Sequence, residues 1–202
     1  MTQRYQELLF SPAVRAAQAA LGSTGYPEQP AIGTPDRLTE NEAAFITARD
    51  SFYMATNGAD GWPYLQHRGG PAGFVHVMDP GTLAFVEFRG NRQYISLGNL
   101  AVNQKASLFF MDYANRARLK LLGQIRPAPL SEAPELVAAL PDDKLRARAE
   151  RLLLIDVQAF DWNCPQYIEP RFTTADITPA ITRLQTRIAE LEAELARRGP
   201  AN

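Results

Sequence analysis

Two polar stretches hold the side chains able to do chemistry. They are Gln66-His67-Arg68-Gly69-Gly70-Pro71 and Arg89-Gly90-Asn91-Arg92-Gln93-Tyr94-Ile95-Ser96. Each combines arginine, glycine and neutral hydrogen-bonding groups. A guanidinium presents a planar fork of donors that matches phosphate oxygens. Adjacent glycines let backbone approach a ligand closely. Gln66 can both donate to and accept from a heteroaromatic ring. Taken alone, the first stretch reads foremost as a tight surface turn, because glycine dominates such turns. The second changes the balance. Arg89 and Arg92 can face a dianionic phosphate, Gln93, Tyr94 and Ser96 add neutral hydrogen bonds, and Asn99 and Asn103 extend the polar face. Surface arginines and a core tyrosine with a wet tip would also account for these residues. Two such stretches flanking adjacent strands favour an anionic, partly aromatic small ligand in a concave site of mixed polarity.

The elements that must position these stretches are short strands. Phe52, Met54 and Thr56 alternate with Tyr53 and Ala55, which predicts a strand over 51–57. Asn57 to Gly61 is a turn, and Trp62 to His67 returns as a hairpin partner, with Pro63 at its start or edge. Strands over 73–78 and 82–88, joined by Asp79-Pro80-Gly81, continue a meander. Tyr94 to Leu100 reads as a short helix or irregular crossover. Strands follow over 106–111 and 118–125, then an excursion over 127–149 with one or two short helices. A strand over 152–160 closes the sheet. Consecutive strands with little room for crossover helices favour an antiparallel barrel.

Helices flank this core. Ser11-Pro12 caps an alanine-rich helix that Gly22 can stop, and the proline- and glycine-punctuated run to Leu38 reads as an ordered arm or loop, one possibility being an arm across a partner subunit. Thr39-Glu40-Asn41-Glu42 is a capping-box pattern. Near the C-terminus, Thr178-Pro179 caps a helix starting near Ala180, with Ile181, Leu184, Ile188, Leu191 and Leu195 on one apolar seam. That seam either packs on the barrel or pairs with another chain. The divisions expected are an N-terminal helix and arm over 1–38, a ligand-binding domain over 39–175 and a C-terminal helix over 176–202.

Composition narrows the function classes. With 46% hydrophobic and 21% charged residues in 202, the chain is a globular domain with helical additions. A formal net charge of -1 provides no basic excess for nucleic acid. The sole cysteine, Cys164, excludes an internal disulfide framework and a cysteine-rich metal site. No secretory signal or membrane-spanning run is visible, so a soluble cytoplasmic protein is expected. The only histidines are His67 and His76, without a compact carboxylate cluster, so no metal centre is expected. His76 reads as a core or interface residue, Cys164 as a small buried hydrophobe, and Arg116, Arg118 and Lys120 as a solvated face.

The long combined pattern GWPYLQHRGGPAGF, LAFVEFRGNRQYISLGNLAVN and LFFMDYANRARLKLLGQIR, with the later WNCPQYIEPRF, resembles the pyridoxamine 5'-phosphate oxidase-related, FMN-binding split-barrel family. The resemblance covers roughly Phe45 to Arg126. It implies a mainly β fold, a six-stranded antiparallel split β-barrel with peripheral helices and the C-terminal amphipathic helix, and a homodimer holding FMN at the subunit interface. It places Gln66, His67 and Arg68 in a first ligand-contacting segment and Arg89, Arg92, Gln93, Tyr94 and Ser96 in a second. Arg92 and Ser96 are the expected phosphate contacts, with Gln66 and His67 near the ring. The family's serine or threonine followed closely by a phosphate-contacting lysine is absent, and Lys105 is displaced from that position. The function implied is two-electron transfer on an unidentified small molecule, with NAD(P)H as a possible donor. The competing reading is a non-catalytic flavin-binding or ligand-sensing homodimer. Deazaflavin and haem stand as alternative ligands, since related split barrels depart from FMN. Neither a nucleic-acid nor a membrane partner is expected.

Overall fold

The short link formed by residues 70–74 sets the shape of the sheet. The computed structural model describes residues 1–162 and 164–199, so Asn163 of the WNCPQY stretch and residues 200–202 of the C-terminal segment lie outside it. The strands are β1 (Ser51–Asn57), β2 (Pro63–Gly69), β3 (Val75–Asp79), β4 (Thr82–Phe88), β5 (Lys105–Asp112), β6 (Ala117–Ala128) and β7 (Ala149–Trp162). They pair in one seven-stranded sheet of order β2-β1-β5-β6-β7-β4-β3, antiparallel throughout. β2 and β3 follow one another in the chain yet occupy opposite edges. Laid flat, those edges would stand about 29 Å apart at about 4.8 Å per strand gap. The link from Gly69 to Val75 reaches about 21 Å at most. The sheet therefore curls into an open, split barrel.

This corrects the expected order in particular ways. The sheet has seven strands, not six. β2, β3 and β4 do not form a continuous meander, because only β3 and β4 pair. β7 does not close the sheet but lies inside it, between β6 and β4. Its run from Leu152 to Ile155 is buried at successive positions, the pattern of a strand covered on both faces. Alternation identifies strands but is silent on their partners.

Bulges help the sheet bend. The β6–β7 register shifts between Leu122 and Gly123. A Cβ at Gly123 would lie 2.6 Å from Ile155 Cγ2, so only glycine permits this approach. The β4–β7 register shifts between Glu87 and Phe88: Glu87 pairs with Arg151 and Phe88 with Ala149, which leaves Glu150 as the extra residue.

Inside the curl, Phe52 of β1 packs at 4.9 Å from Phe110, 5.4 Å from Phe85 of β4 and 5.8 Å from Phe74, ring centre to ring centre. Contact between rings on β1 and β4, which are not neighbours in the sheet, is what a barrel interior produces. The excursion over 127–149 contains short helices α5 (Pro134–Ala138) and α6 (Asp143–Arg146). Its Leu136 and Leu140 cover Val86 and Leu154 on the outer face, which explains why β4 and β7 are apolar on both sides.

Four other helices precede or interrupt the sheet. α1 (Gln3–Leu9) is not signalled by the sequence pattern; buried Tyr5 and an ion pair of the Met1 ammonium with Asp161 at 3.1 Å dock it. α2 (Pro12–Ala20) starts where Ser11 predicts, the Ser11 hydroxyl accepting the Val14 N–H at 3.3 Å. The arm that follows folds on its own chain: Glu7 accepts the Ile32 and Gly33 N–H groups, and the Phe10 and Tyr26 rings meet edge-on at 5.6 Å. α4 (Ile95–Val102) forms the crossover between β4 and β5.

α3 (Glu40–Thr47) carries the predicted capping box. Glu42 is buried, accepts the Thr39 N–H at 2.9 Å and also accepts the Trp162 indole N–H at 2.6 Å, tying the helix to the end of β7. Burial works to raise its pKa, but the hydrogen bonds from Thr39 and Trp162 outweigh it and hold the carboxyl below its ordinary value. A depressed folded pKa contributes stability that is present above the unfolded value of about 4.3 and is lost as pH falls through the folded value. Glu42→Gln should therefore flatten the acid limb of a stability–pH profile. Glu42→Ala should cost about 2–3 kcal/mol in urea unfolding, through a lost cap and an orphaned indole N–H; a loss below about 0.5 kcal/mol would show that the cap is not holding α3.

α7 (Thr174–Arg198) differs from expectation at its start. The cap is Thr173 with Asp176, and Pro179 lies inside the helix rather than opening it. A capping box satisfies end N–H groups of the first turn, so it outcompetes a proline signal further on. No helix among the described residues is long and apolar enough to cross a membrane.

Candidate functional site

The curl that joins the sheet edges also joins the two polar stretches. Along β2, side chains alternate, and Tyr64, Gln66 and Arg68 face one cleft. Arg92, Gln93, Tyr94 and Ser96 line its opposite wall at the start of α4, and Glu87 and Glu150 complete it. The cleft encloses about 230 Å³, below the roughly 300–1,000 Å³ of small-ligand pockets.

Its floor is a chain of charges. Arg68 Nη1 lies 3.1 Å from Glu87 Oε1, and Arg151 Nε lies 3.4 Å from Glu87 Oε2. Arg151 Nη2 reaches Glu150 Oε2 at 3.0 Å. The Tyr94 hydroxyl donates toward both Glu150 oxygens, each at 3.3 Å, and the Arg151 guanidinium sits 5.5 Å from the Tyr94 ring centre. The bulge on β7 makes this possible: as the extra residue, Glu150 is re-aimed toward Tyr94 while Arg151 stays opposite Glu87. Arg68 Nε is buried and has no hydrogen-bond partner.

The opposite wall has a different character. Arg92 and Tyr94 both adopt left-handed backbone, at φ 62° and 52°, although neither is glycine. Such conformations are held by surrounding structure at a cost of order 1–3 kcal/mol and concentrate at functional sites. The Gln93 N–H donates to Asn91 Oδ1 at 3.1 Å, which fixes the loop between them. Tyr94 is the N-cap of α4, and no side chain caps its N–H groups. The helix therefore presents free donors and the positive end of its dipole where Ser96 lies buried. Arg92 is exposed and makes no ion pair among the described residues.

These facts sort the residues named from sequence. Gln66, Arg68, Arg92, Gln93, Tyr94 and Ser96 are brought together. His67 is on the other face of β2, its ring 5.6 Å from that of Tyr53. Arg89 is outside the cleft wall, its backbone N–H and carbonyl engaged by Arg148. Arg68 is neutralised by Glu87, so Arg92 is the guanidinium left for an anion. The sequence reading missed Tyr64, Glu87, Glu150 and Arg151. Glu87 did carry a signal, since a carboxylate inside LAFVEF must be paired once that strand is buried.

Other sequence-level candidates are drawn into structural roles. Of the expected solvated face, Lys120 pairs with Asp161 at 2.8 Å; elsewhere Arg126 pairs with Glu132 at 3.0 Å and Arg171 covers the Tyr113 ring at 4.7 Å. His76 lines a separate apolar recess with Phe74 and Val86; burial lowers its pKa against a raising influence from Glu135. Cys164 is exposed, against the expected burial. Among the described residues no cluster of histidine, cysteine and carboxylate side chains could hold a metal ion.

Comparison with known proteins places this arrangement. Residues 38–161 match the family model described as pyridoxamine 5'-phosphate oxidase. No curated protein matches the chain. Among solved structures, HupZ of Group A Streptococcus is 15% identical over 67% of this chain and 99% of its own, with a TM-score of 0.49. An FMN-binding protein of Syntrophomonas wolfei is 10% identical over 61% and 85%, with a TM-score of 0.48. HutZ of Vibrio cholerae, a haem storage protein, is 17% identical over 60% and 89%, with a TM-score of 0.42. At these values the structural likenesses carry no functional argument.

Proposed function

The chain belongs to the pyridoxamine 5'-phosphate oxidase family, and on that premise we propose that it binds FMN and acts as a flavin-dependent oxidoreductase on a small molecule. The observation that carries this reading is the meeting of β2 and the start of α4 in one cleft. A ring-side amide, Gln66, stands on one wall. An unpaired guanidinium, a buried hydroxyl and uncapped helix N–H groups stand on the other. That donor set suits a ring bearing a phosphate.

The geometry supports the following roles. Arg92, Ser96 and the N-terminus of α4 hold the phosphate; Gln93 supports them. Gln66 and Tyr64 orient the ring edge. Arg68 stiffens the wall, because Glu87 already satisfies its charge. Glu87 and Glu150 offset Arg68 and Arg151, so the floor is close to neutral and Arg92 sets the anion preference. His67 and Arg89 lie outside this assignment. When bound, FMN supplies two-electron chemistry, while the protein binds, orients and shields it. A nicotinamide donor and a small organic acceptor would complete the cycle. Because the cleft of one chain is small, a homodimer is proposed to complete the site, carried by the domain over 39–175.

A second reading, flavin binding without turnover, is favoured by one observation. Both cleft carboxylates are engaged by arginine or tyrosine, and His67 faces away, so among the described residues no carboxylate or histidine is left free in the cleft for acid–base work. The deciding experiment is a visible spectrum of the protein as purified and after titration with FMN, with mass identification of any released ligand. Bound FMN is expected. A protein that carries none and takes up none overturns the cofactor assignment. Steady turnover of one acceptor separates the oxidoreductase from the non-catalytic reading.

A further inference from the structure

α7 leaves the barrel as a helix with no buried residue along its length. Its apolar residues are Ile177, Ile181, Leu184, Ile188, Leu191 and Leu195, between 41% and 68% exposed. Their spacing alternates four and three residues without a break, the repeat that keeps one seam against a partner helix. In heptad terms Ile181, Ile188 and Leu195 occupy position a, and Ile177, Leu184 and Leu191 occupy position d. The central layers, Ile181, Leu184, Ile188 and Leu191, put isoleucine at a and leucine at d, the pattern of parallel two-stranded coils. Pro179 falls at position f, on the outermost line, where it opposes no partner.

We propose that α7 pairs with the same helix of a second copy of this chain as a parallel two-stranded coiled coil. The flanking charges select that occupant. Arg187 lies at position g and Glu192 at the following e, the two positions that meet across a parallel, in-register seam. Two-fold symmetry forms that contact twice. Within one chain Arg187 instead reaches Glu190 at 2.9 Å, an exposed pair that contributes little and is easily exchanged. The ends of the helix are self-sufficient: Thr173 and Asp176 cap its start, and Arg197 and Arg198 complement its last turn. Among the described residues nothing covers the apolar seam. The pairing is independent of the flavin reading, because α7 supplies no residue to the cleft. It would hold two barrels at high effective concentration.

Disulfide trapping in the full-length chain tests this. In a Cys164→Ser background, Leu191→Cys places a thiol at position d and Ala189→Cys places one at position b on the outer face. Under a glutathione disulfide buffer, Leu191→Cys is expected to form a covalent dimer at least about tenfold faster, since d residues meet their own counterparts across a parallel seam. Equal rates, or no cross-link at Leu191→Cys, overturn the pairing, even if sedimentation still finds a dimer held through the barrels. Adding Arg187→Glu should slow the trapping, and adding Glu192→Arg as well should restore it. A double charge variant that stays slow overturns the parallel orientation, because in a reversed pair g faces g and Glu194 would then oppose the new carboxylate. All these positions are on an exposed helix outside the cleft, so FMN uptake should be unchanged in every variant at protein concentrations that keep the barrels paired.

Discussion

Arg92→Ala is expected to weaken FMN binding by about 10- to 100-fold. A hydrogen bond to a charged group contributes about 1.5–3 kcal/mol, and each 1.4 kcal/mol is tenfold in affinity. The expectation rests on Arg92 being the cleft guanidinium without a carboxylate partner among the described residues, beside an uncapped helix N-terminus. Arg126→Ala is the control, since Arg126 pairs with Glu132 on the exposed surface. Arg92→Gly separates binding from backbone effects. Glycine accepts φ 62° at no steric cost, so this variant should keep the fold at full stability and still bind FMN poorly. Isothermal calorimetry that returns equal affinities for Arg92→Ala and Arg126→Ala would remove Arg92 from the phosphate site.

Glu87→Ala should destabilise the protein by about 3 kcal/mol, the low end for breaking a buried ion pair. Glu87 is 9% exposed and is shared by Arg68 and Arg151, whose side chains retain some contact with water. Its removal leaves Arg68 without a counter-charge, and its Nε is already without a partner. Replacing both members, Arg68→Met with Glu87→Met, should cost less than the single change, because no unpaired charge remains and Arg151 keeps Glu150. Urea unfolding midpoints measure the difference. A single variant that loses less than about 1 kcal/mol would mean that the network is wet and contributes mainly to the cleft's charge.

How legible the site was depended on which physical relation a residue obeys. Gln66, Arg68, Arg92, Gln93 and Ser96 could be grouped because arginine, amide and glycine recur in two stretches, and the fold brings these five to one cleft. His67, expected near the ring, stands between Gln66 and Arg68 in the chain but does not share their cleft. Period-two alternation puts it on the opposite face of β2, and the alternation alone does not say which face the ligand uses. Glu150 and Arg151 were invisible because their approach to the cleft depends on a one-residue bulge, a matter of pairing register between β4 and β7.

Short-range physics is already legible in the chain. The alternation of Phe52, Met54 and Thr56 specifies a buried strand face, Thr39 with Glu42 caps α3, Ser11 caps α2, and the repeat from Ile181 to Leu195 specifies a one-sided helix. Each depends on residues within one or two turns of one another, so spacing suffices. The tertiary structure decided the rest. It set β2 and β3 at opposite edges and β7 in the middle. It curled the sheet until residues 66–68 and 92–96 faced each other, and it spent Arg68 on Glu87. Those outcomes depend on contacts between strands far apart in the chain, where the energy of burial chooses among pairings that local pattern leaves equivalent.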